Sequence, residues 1–489
     1  MTEDINKEGN EEQDKSIFNR YLLLTAVLLL AACWIVVKMC ITMFVEKDQW
    51  TTMAKELVRP TTTILPSRGN IYSNNMKLMA TSVPLYYTYI DFKSDALQVD
   101  SFLYSKRNGV DSLSICLSRK FKDRTPAGYK AYLLRGLKSQ SRQYPLVRHK
   151  ISYSDFKELG QYPHFRLGRN PSGFYTKEQV QRERPFNTLA ARTIGDIFGE
   201  IDSTGVTRGR NGLELQYDSL LRGKPGLKVK RRIGGRWTNV TLLEPEEGMD
   251  IRSTIDIDIQ DITEKALRDM LKKIDAASGT AVVMEVATGE VKAITNLGRI
   301  SEGKYNETMN HAVADETEPG STFKVASIMV ALEDGVCQPQ DSVDTGNGIY
   351  MYKGQRMTDH NKNKGGYQVI SVEKAIWNSS NIGVAKTILK GYEHNPTKFV
   401  EGLYRIGMAA DLHLDIPGAG RPKIRRPDDS VRYWSKTTLP WMSFGYETQI
   451  PPISTLAFYN AIANGGTMVR PFFVKEIYRR GKVVRRNSP

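Results

Sequence analysis

The chain changes its hydrophobic rhythm several times. After a polar start with six acids and three bases in residues 1–20, Tyr21–Val45 is apolar apart from Lys38. About 20 such residues in helical form cross a hydrocarbon core, so a transmembrane helix is expected at 21–45. Lys38 lies far enough along to reach the far interface. The run is longer than a signal-peptide core and no small-x-small site ends it, so an uncleaved anchor is expected. Leu30-Ala31-Ala32-Cys33 has the shape of a lipid-modification box, but the apolar run continues past Cys33.

Residues 46–66 read as a juxtamembrane connection, and Tyr86–Ile90 reads as a strand. Lys228–Arg232 beside Gly234-Gly235 has the look of a hairpin. After Pro245–Gly248, Ile251–Ile259 alternates as a strand and Ile259–Ile274 takes helical spacing. Gly279–Val286 and Glu290–Asn296 flank a turn at Ala287-Thr288-Gly289, as in a hairpin. Val325–Leu332, Ser371–Trp377 and Ile382–Leu389 read as helices. The fold class is therefore α+β, with a domain boundary expected near residue 250.

Composition narrows the picture. With 489 residues, 40% hydrophobic and 25% charged, the bulk is globular. Four cysteines exclude a disulfide scaffold, and no Cys or His spacing suits zinc. The net charge of +15 invites a nucleic-acid reading. Residues 101–184, however, hold 18 Lys/Arg against 6 Asp/Glu, and that same stretch is rich in tyrosine and phenylalanine. No nucleic-acid motif accompanies it, so no nucleic-acid partner is expected. Arg119, Lys120, Lys122 and Arg124 are instead candidates to face anionic lipid or an acidic protein.

The candidate chemistry begins at Glu318-Pro319-Gly320-Ser321-Thr322-Phe323-Lys324, just before an apolar helical run. Pro and Gly place Ser321 at a helix start. Lys324, three residues on, shares its face. A serine needs a base to become a nucleophile, and an amine serves once burial lowers its pKa. Ser379-Ser380-Asn381 lies 58 residues beyond Ser321, between two helical runs. There Ser379 could relay a proton and Asn381 could hold a carbonyl or orient the lysine. Each motif alone recurs by chance: an N-cap serine with a surface lysine, or a polar interhelical loop, matches equally well.

Ser-x-x-Lys followed by Ser-x-Asn resembles the first two parts of the signature of penicillin-binding proteins and serine β-lactamases. The flanking blocks resemble class B penicillin-binding proteins. They are Arg68-Gly69-Asn70-Ile71-Tyr72, Gly212-Leu213-Glu214, Ser253-Thr254-Ile255-Asp256, Thr288-Gly289-Glu290, Ser443-Phe444-Gly445-Tyr446 and Ala463-Asn464-Gly465-Gly466. The resemblance implies a cytoplasmic tail (1–20), a single inner-membrane anchor (21–45), an elongated non-catalytic pedestal of dimerisation type (46–250) and an extracytoplasmic transpeptidase domain (251–489). That last domain has a β-sheet between helical layers. It further implies a peptidoglycan D,D-transpeptidase, with Ser321 as nucleophile, Lys324 as base, and Ser379 and Asn381 completing the relay and holding substrate. Stem peptides and β-lactams would be ligands, with no metal or organic cofactor. A SEDS-type glycan polymerase and other division proteins would be partners. The Gly-Leu-Glu-Leu-Gln-Tyr-Asp and Arg-Gly-Asn-Ile-Tyr blocks look more like the septal branch than the elongation branch.

One departure matters. No Lys-Thr-Gly or Lys-Ser-Gly follows Asn381, and Lys436-Thr437-Thr438 lacks the glycine. A chain that stops before the third motif is expected, so the transpeptidase domain reads as incomplete at its C-terminus. A protein that has lost that strand is the alternative, and little transpeptidation is expected of a polypeptide that truly ends at 489. A non-catalytic scaffold or β-lactam sensor is the rival from another class. The intact serines and lysine weigh against it. A β-lactamase would need a base for a deacylating water, and no residue suggests itself.

Overall fold

A computed structural model describes residues 2–57, 61–199, 207–234, 236–430 and 433–488. The chain divides into two compact units, Met1–Leu65 with Lys224–Glu246, and Pro66–Gly223 with Glu247–Pro489.

In the first unit, helix Thr2–Cys40 continues through a π-helical turn, Ile41–Val45. Its apolar stretch Arg20–Val45 has a mean hydropathy of 2.5, and none of that stretch is buried within the protein. At 1.5 Å per residue this is ample for a bilayer core of about 30 Å. The juxtamembrane segment, expected as a connection, forms a helix at Lys47–Leu57. Glu46 at the junction accepts hydrogen bonds from Trp50 Nε1 (3.0 Å) and Lys38 Nζ (3.3 Å). The hairpin strands Gly226–Ile233 and Arg236–Leu243 form with Thr62–Ile64 a three-stranded antiparallel sheet.

The second unit begins with a head built on strand Leu78–Ile90, paired antiparallel with Phe174–Glu183 from Thr81↔Glu183 to Ile90↔Phe174. Tyr86, Thr88 and Ile90 point inward and Tyr87 and Tyr89 outward, as a period of two demands. Helices Val110–Phe121 and Pro126–Ser139 bury Leu113, Leu117, Tyr129 and Leu133 in an aromatic-rich core with Phe102, Phe165 and Phe174.

Below the head, Ile71–Tyr72 pairs with Leu78–Ile90 and runs parallel to Asp250–Ser253. Asp250–Ser253 in turn pairs antiparallel with Val474–Arg479. The blocks singled out in the sequence meet here. Arg68 donates to Glu214 (2.7 Å) and Asp218 (2.8 Å), and Arg182 donates to the second oxygen of Glu214 (2.7 Å). Glu214 is fully buried, so its charge is tolerable only because two guanidiniums satisfy it.

Helix Ile257–Ile274, capped by Asp256, packs on the antiparallel sheet Ser278–Met284, Val291–Ser301 and Lys304–Glu307. Buried Gln260 clamps that sheet from the helix, donating to Ile294 O and Thr295 Oγ1 and accepting from Ile294 N. A helical cluster follows, with Phe323, Val330, Ile388, Tyr392, Phe399 and Phe458 in its core. All four cysteines are free thiols.

Candidate active site

Gly320–Phe323 forms a 3-10 turn that feeds helix Lys324–Glu333. Ser321 sits in that turn, exposed, and its hydroxyl has no hydrogen-bond partner among the described residues. The turn is fixed from below by the Ser443–Tyr446 block. Gly320 N donates to Gly445 O (3.1 Å), and Ser327 Oγ donates to Ser443 O (2.8 Å). Gly445 has φ +90, and a Cβ there would lie 2.0 Å from Gly320 O. No other residue fits that approach without moving the turn. Tyr459 donates to Thr322 O (2.8 Å), and Glu318 accepts from Glu447 N (2.8 Å).

Lys324 points inward at 2% exposure. Its Nζ donates to Ser379 Oγ (2.9 Å) and Ser379 O (2.5 Å). Burial pushes its pKa down to about 8, against the opposing pull of the Asp359 carboxylate. Loss of solvation disfavours the ammonium, and no carboxylate pairs with it directly.

The second motif is placed by two helices. Ser371 caps Val372–Trp377 through Lys374 N, and Ser380 caps Asn381–Tyr392 through Gly383 N. Between them Ser379 adopts φ +50, a left-handed conformation that turns its hydroxyl and carbonyl toward Lys324. Asn381 Nδ2 donates to Thr358 O (2.9 Å). The structure thus joins Lys324 to Ser379 directly, places Asn381 in the first turn of the following helix with its amide on Thr358 O, and leaves Ser321 one turn before Lys324 without a hydrogen bond to either among the described residues.

Asp359 was not foreseen from the sequence. It is 1% exposed, accepts from Ser380 Oγ (2.6 Å) and Ile382 N (3.1 Å), and so holds the loop that carries Ser379. The Thr358-Asp359-His360 segment bears no motif, and only the fold brings it to the loop. Among the described residues no group of three or more His, Cys, Asp or Glu is placed to hold a metal ion.

Two family models match, the penicillin binding protein transpeptidase domain over residues 279–489 and the penicillin-binding protein dimerisation domain over 63–253. The chain is a class B penicillin-binding protein. It is 28% identical over 307 residues to the probable peptidoglycan D,D-transpeptidase PbpC of Pseudomonas aeruginosa, covering 61% of this chain and 51% of that relative. It is 24% identical over 481 residues to the peptidoglycan D,D-transpeptidase FtsI of Escherichia coli K12, covering 96% of this chain and 74% of FtsI. The matched region thus spans about half of one relative and three quarters of the other. Among solved structures, penicillin binding protein 2X from Streptococcus thermophilus shares the fold with a TM-score of 0.70 at 21% identity, over 88% of this chain and 63% of that one.

Proposed function

We propose that this penicillin-binding protein is a serine D,D-transpeptidase of peptidoglycan stem peptides, acting in septal wall synthesis and acylated by β-lactams. The observation that carries the reading is the buried Lys324 amine, bonded to Ser379 one helical turn after an exposed Ser321.

At and above pH 8 much of Lys324 is neutral and able to accept a proton. Ser321 Oγ attacks the carbonyl of the penultimate D-alanine while its proton passes to Lys324. The helix-start backbone N–H groups favour the developing negative charge. Lys324 returns the proton through the Ser379 hydroxyl to the departing D-alanine amine, and the peptide is left as an ester on Ser321. An amine from a neighbouring stem then attacks that ester. It loses its proton along the same route, and Ser321 regains its hydroxyl as the cross-link forms. Asn381, at the start of the helix that follows Ser379, holds the substrate's amide. Asp359 keeps the loop in place and tempers the fall in the lysine pKa.

In this reading a single N-terminal anchor leaves the N-terminus in the cytoplasm and the catalytic domain outside the inner membrane. There a polytopic SEDS-type glycan polymerase and other division proteins would be neighbours. The septal assignment is supported by likeness to FtsI along 96% of the chain. Incubation of the purified protein with a fluorescent penicillin tests the chemistry. Covalent labelling is expected, and it disappears in Ser321→Ala. Labelling that persists without Ser321 would overturn the assignment. A tagged protein spread along the side wall would assign it to elongation.

A further inference from the structure

Much of the basic, aromatic stretch seen in the sequence has no place in the catalytic reading. On the outer face of the head it forms a definite surface. Tyr89 lies directly opposite Tyr175, with ring centroids 5.6 Å apart and stacked, and Tyr87 sits 6.5 Å from Tyr89 along the same strand. All three rings are half-buried and face away from the core.

Cations surround this row. Lys177 is the cross-strand partner of Tyr87 and reaches over Tyr89 at 5.5 Å. Ile151 bridges to Tyr86, which brings Lys150 next to Tyr87, 5.6 Å from its ring centre. Arg169 lies 5.6 Å from the Tyr175 ring. No ion pair to a carboxylate forms at Lys150, Lys177 or Arg169 among the described residues, and Lys150 bonds only to the Gln181 amide oxygen. The neighbouring acids are otherwise directed. Glu178 lies opposite Tyr86 in the register, on the other face, and Asp91 is at the end of the row beside Arg142. The basic residues nearer the helices differ, for Lys120 is held by Asp155 and Glu158, and Arg124 stacks on Tyr132 at 3.9 Å.

We infer that this face binds an anionic glycan, with sugar rings on Tyr87, Tyr89 and Tyr175 and carboxylates on Lys150, Lys177 and Arg169. The polarised C–H groups of a pyranose meet the electron-rich face of an aromatic ring. Each lysine is held over its ring only weakly at an exposed site, so it swings to an incoming carboxylate at little cost. A lipid headgroup would use the cations and leave the tyrosines idle. An acidic polypeptide would pair with the cations and need none of the ring faces. A glycan bearing peptide carboxylates uses both sets. That the glycan is uncross-linked wall strand rests on the proposed transpeptidase function; the shape and charge of the face do not.

The test uses the full chain in detergent and follows binding of soluble, uncross-linked glycan strands with peptide stems. Tyr87→Ala with Tyr175→Ala, and separately Lys150→Glu with Lys177→Glu, should each weaken binding by about tenfold. Neutral chitohexaose should lose affinity with the tyrosine pair alone. Fluorescent penicillin labelling at Ser321 should stay at the wild-type level in both double variants, which reports that they are folded. Wild-type strand binding in the lysine pair, which alters only surface charge, would overturn the inference. Poly-glutamate or phosphatidylglycerol vesicles that need the lysines but not the tyrosines would reassign the face to an acidic protein or a lipid. Ser321→Ala separates the two ideas, since it should lose labelling and keep strand binding.

Discussion

Lys324 in the candidate active site and Lys120 in the head are the same side chain in opposite surroundings. Lys120 is partly exposed and touches Asp155 (2.6 Å) and Glu158 (2.5 Å). Hydrogen bonds to those two carboxylates raise its pKa, so it stays a cation. Lys324 is buried with a hydroxyl and a carbonyl as its contacts, and the nearest influential anion, Asp359, bonds to Ser380 and Ile382 instead. Burial lowers its pKa to about 8. Reactivity follows from withholding a counter-charge, and inertness from supplying one.

The largest test of this contrast is Lys324→Ala, which should slow acylation by a fluorescent penicillin by about 10²–10⁴-fold. Next is Ser379→Asp, which hands Lys324 the carboxylate that Lys120 already has. The ammonium is then favoured, and acylation at pH 7.5 should fall well below that of Ser379→Ala, which loses the hydroxyl without adding charge. Equal rates in the two variants would break the argument.

The pH profile is finer. In the proposed mechanism acylation needs the neutral amine, so the wild-type rate should rise through about pH 8 and level off above it. Asp359→Asn removes an anion that favours the ammonium, so the midpoint should move to lower pH. A midpoint that rises, or does not move, would show that Asp359 acts only on the loop.

His164 extends the comparison to stability. It is 1% exposed, packs on Phe102 and has no hydrogen-bond partner at either ring nitrogen. Burial lowers its pKa to about 4. The folded state therefore refuses a proton that the unfolded chain takes up below about pH 6.5. Stability should fall as pH drops from about 6.5 toward 4, by roughly 3 kcal/mol in full. His164→Phe should shrink the difference in Tm between pH 7.5 and pH 5. The smallest effect is expected of Lys120→Ala, about a degree in Tm, because a solvated ion pair adds little.

The sequence was most legible where local rules act alone. The long apolar N-terminal helix, the Ser371 cap, the helix after Lys324 and the hairpin around the Thr288 turn need only periodicity and capping, and all are present. The pairing of Lys324 with Ser379 was legible only through the family resemblance, since the spacing alone fits a polar interhelical loop equally well. Three features were not. The left-handed Ser379 depends on two helices meeting. Asp359 reaches the loop from a segment without pattern. The approach of Gly445 to Gly320 joins residues 125 positions apart in the sequence numbering. Each is a tertiary constraint that no local propensity encodes.

The strand Asp250–Ser253 lies between Ile71–Tyr72 and Val474–Arg479. Three passages from early, middle and late in synthesis must meet before that sheet is whole. At a ribosome's roughly 5–20 residues per second, about 20–80 s separate the making of the first and last of them. For that time the early strands wait with open hydrogen-bonding groups. A defect in the last strand would therefore surface as failure of the region made first, seen in the cell as early proteolysis of the newly made chain.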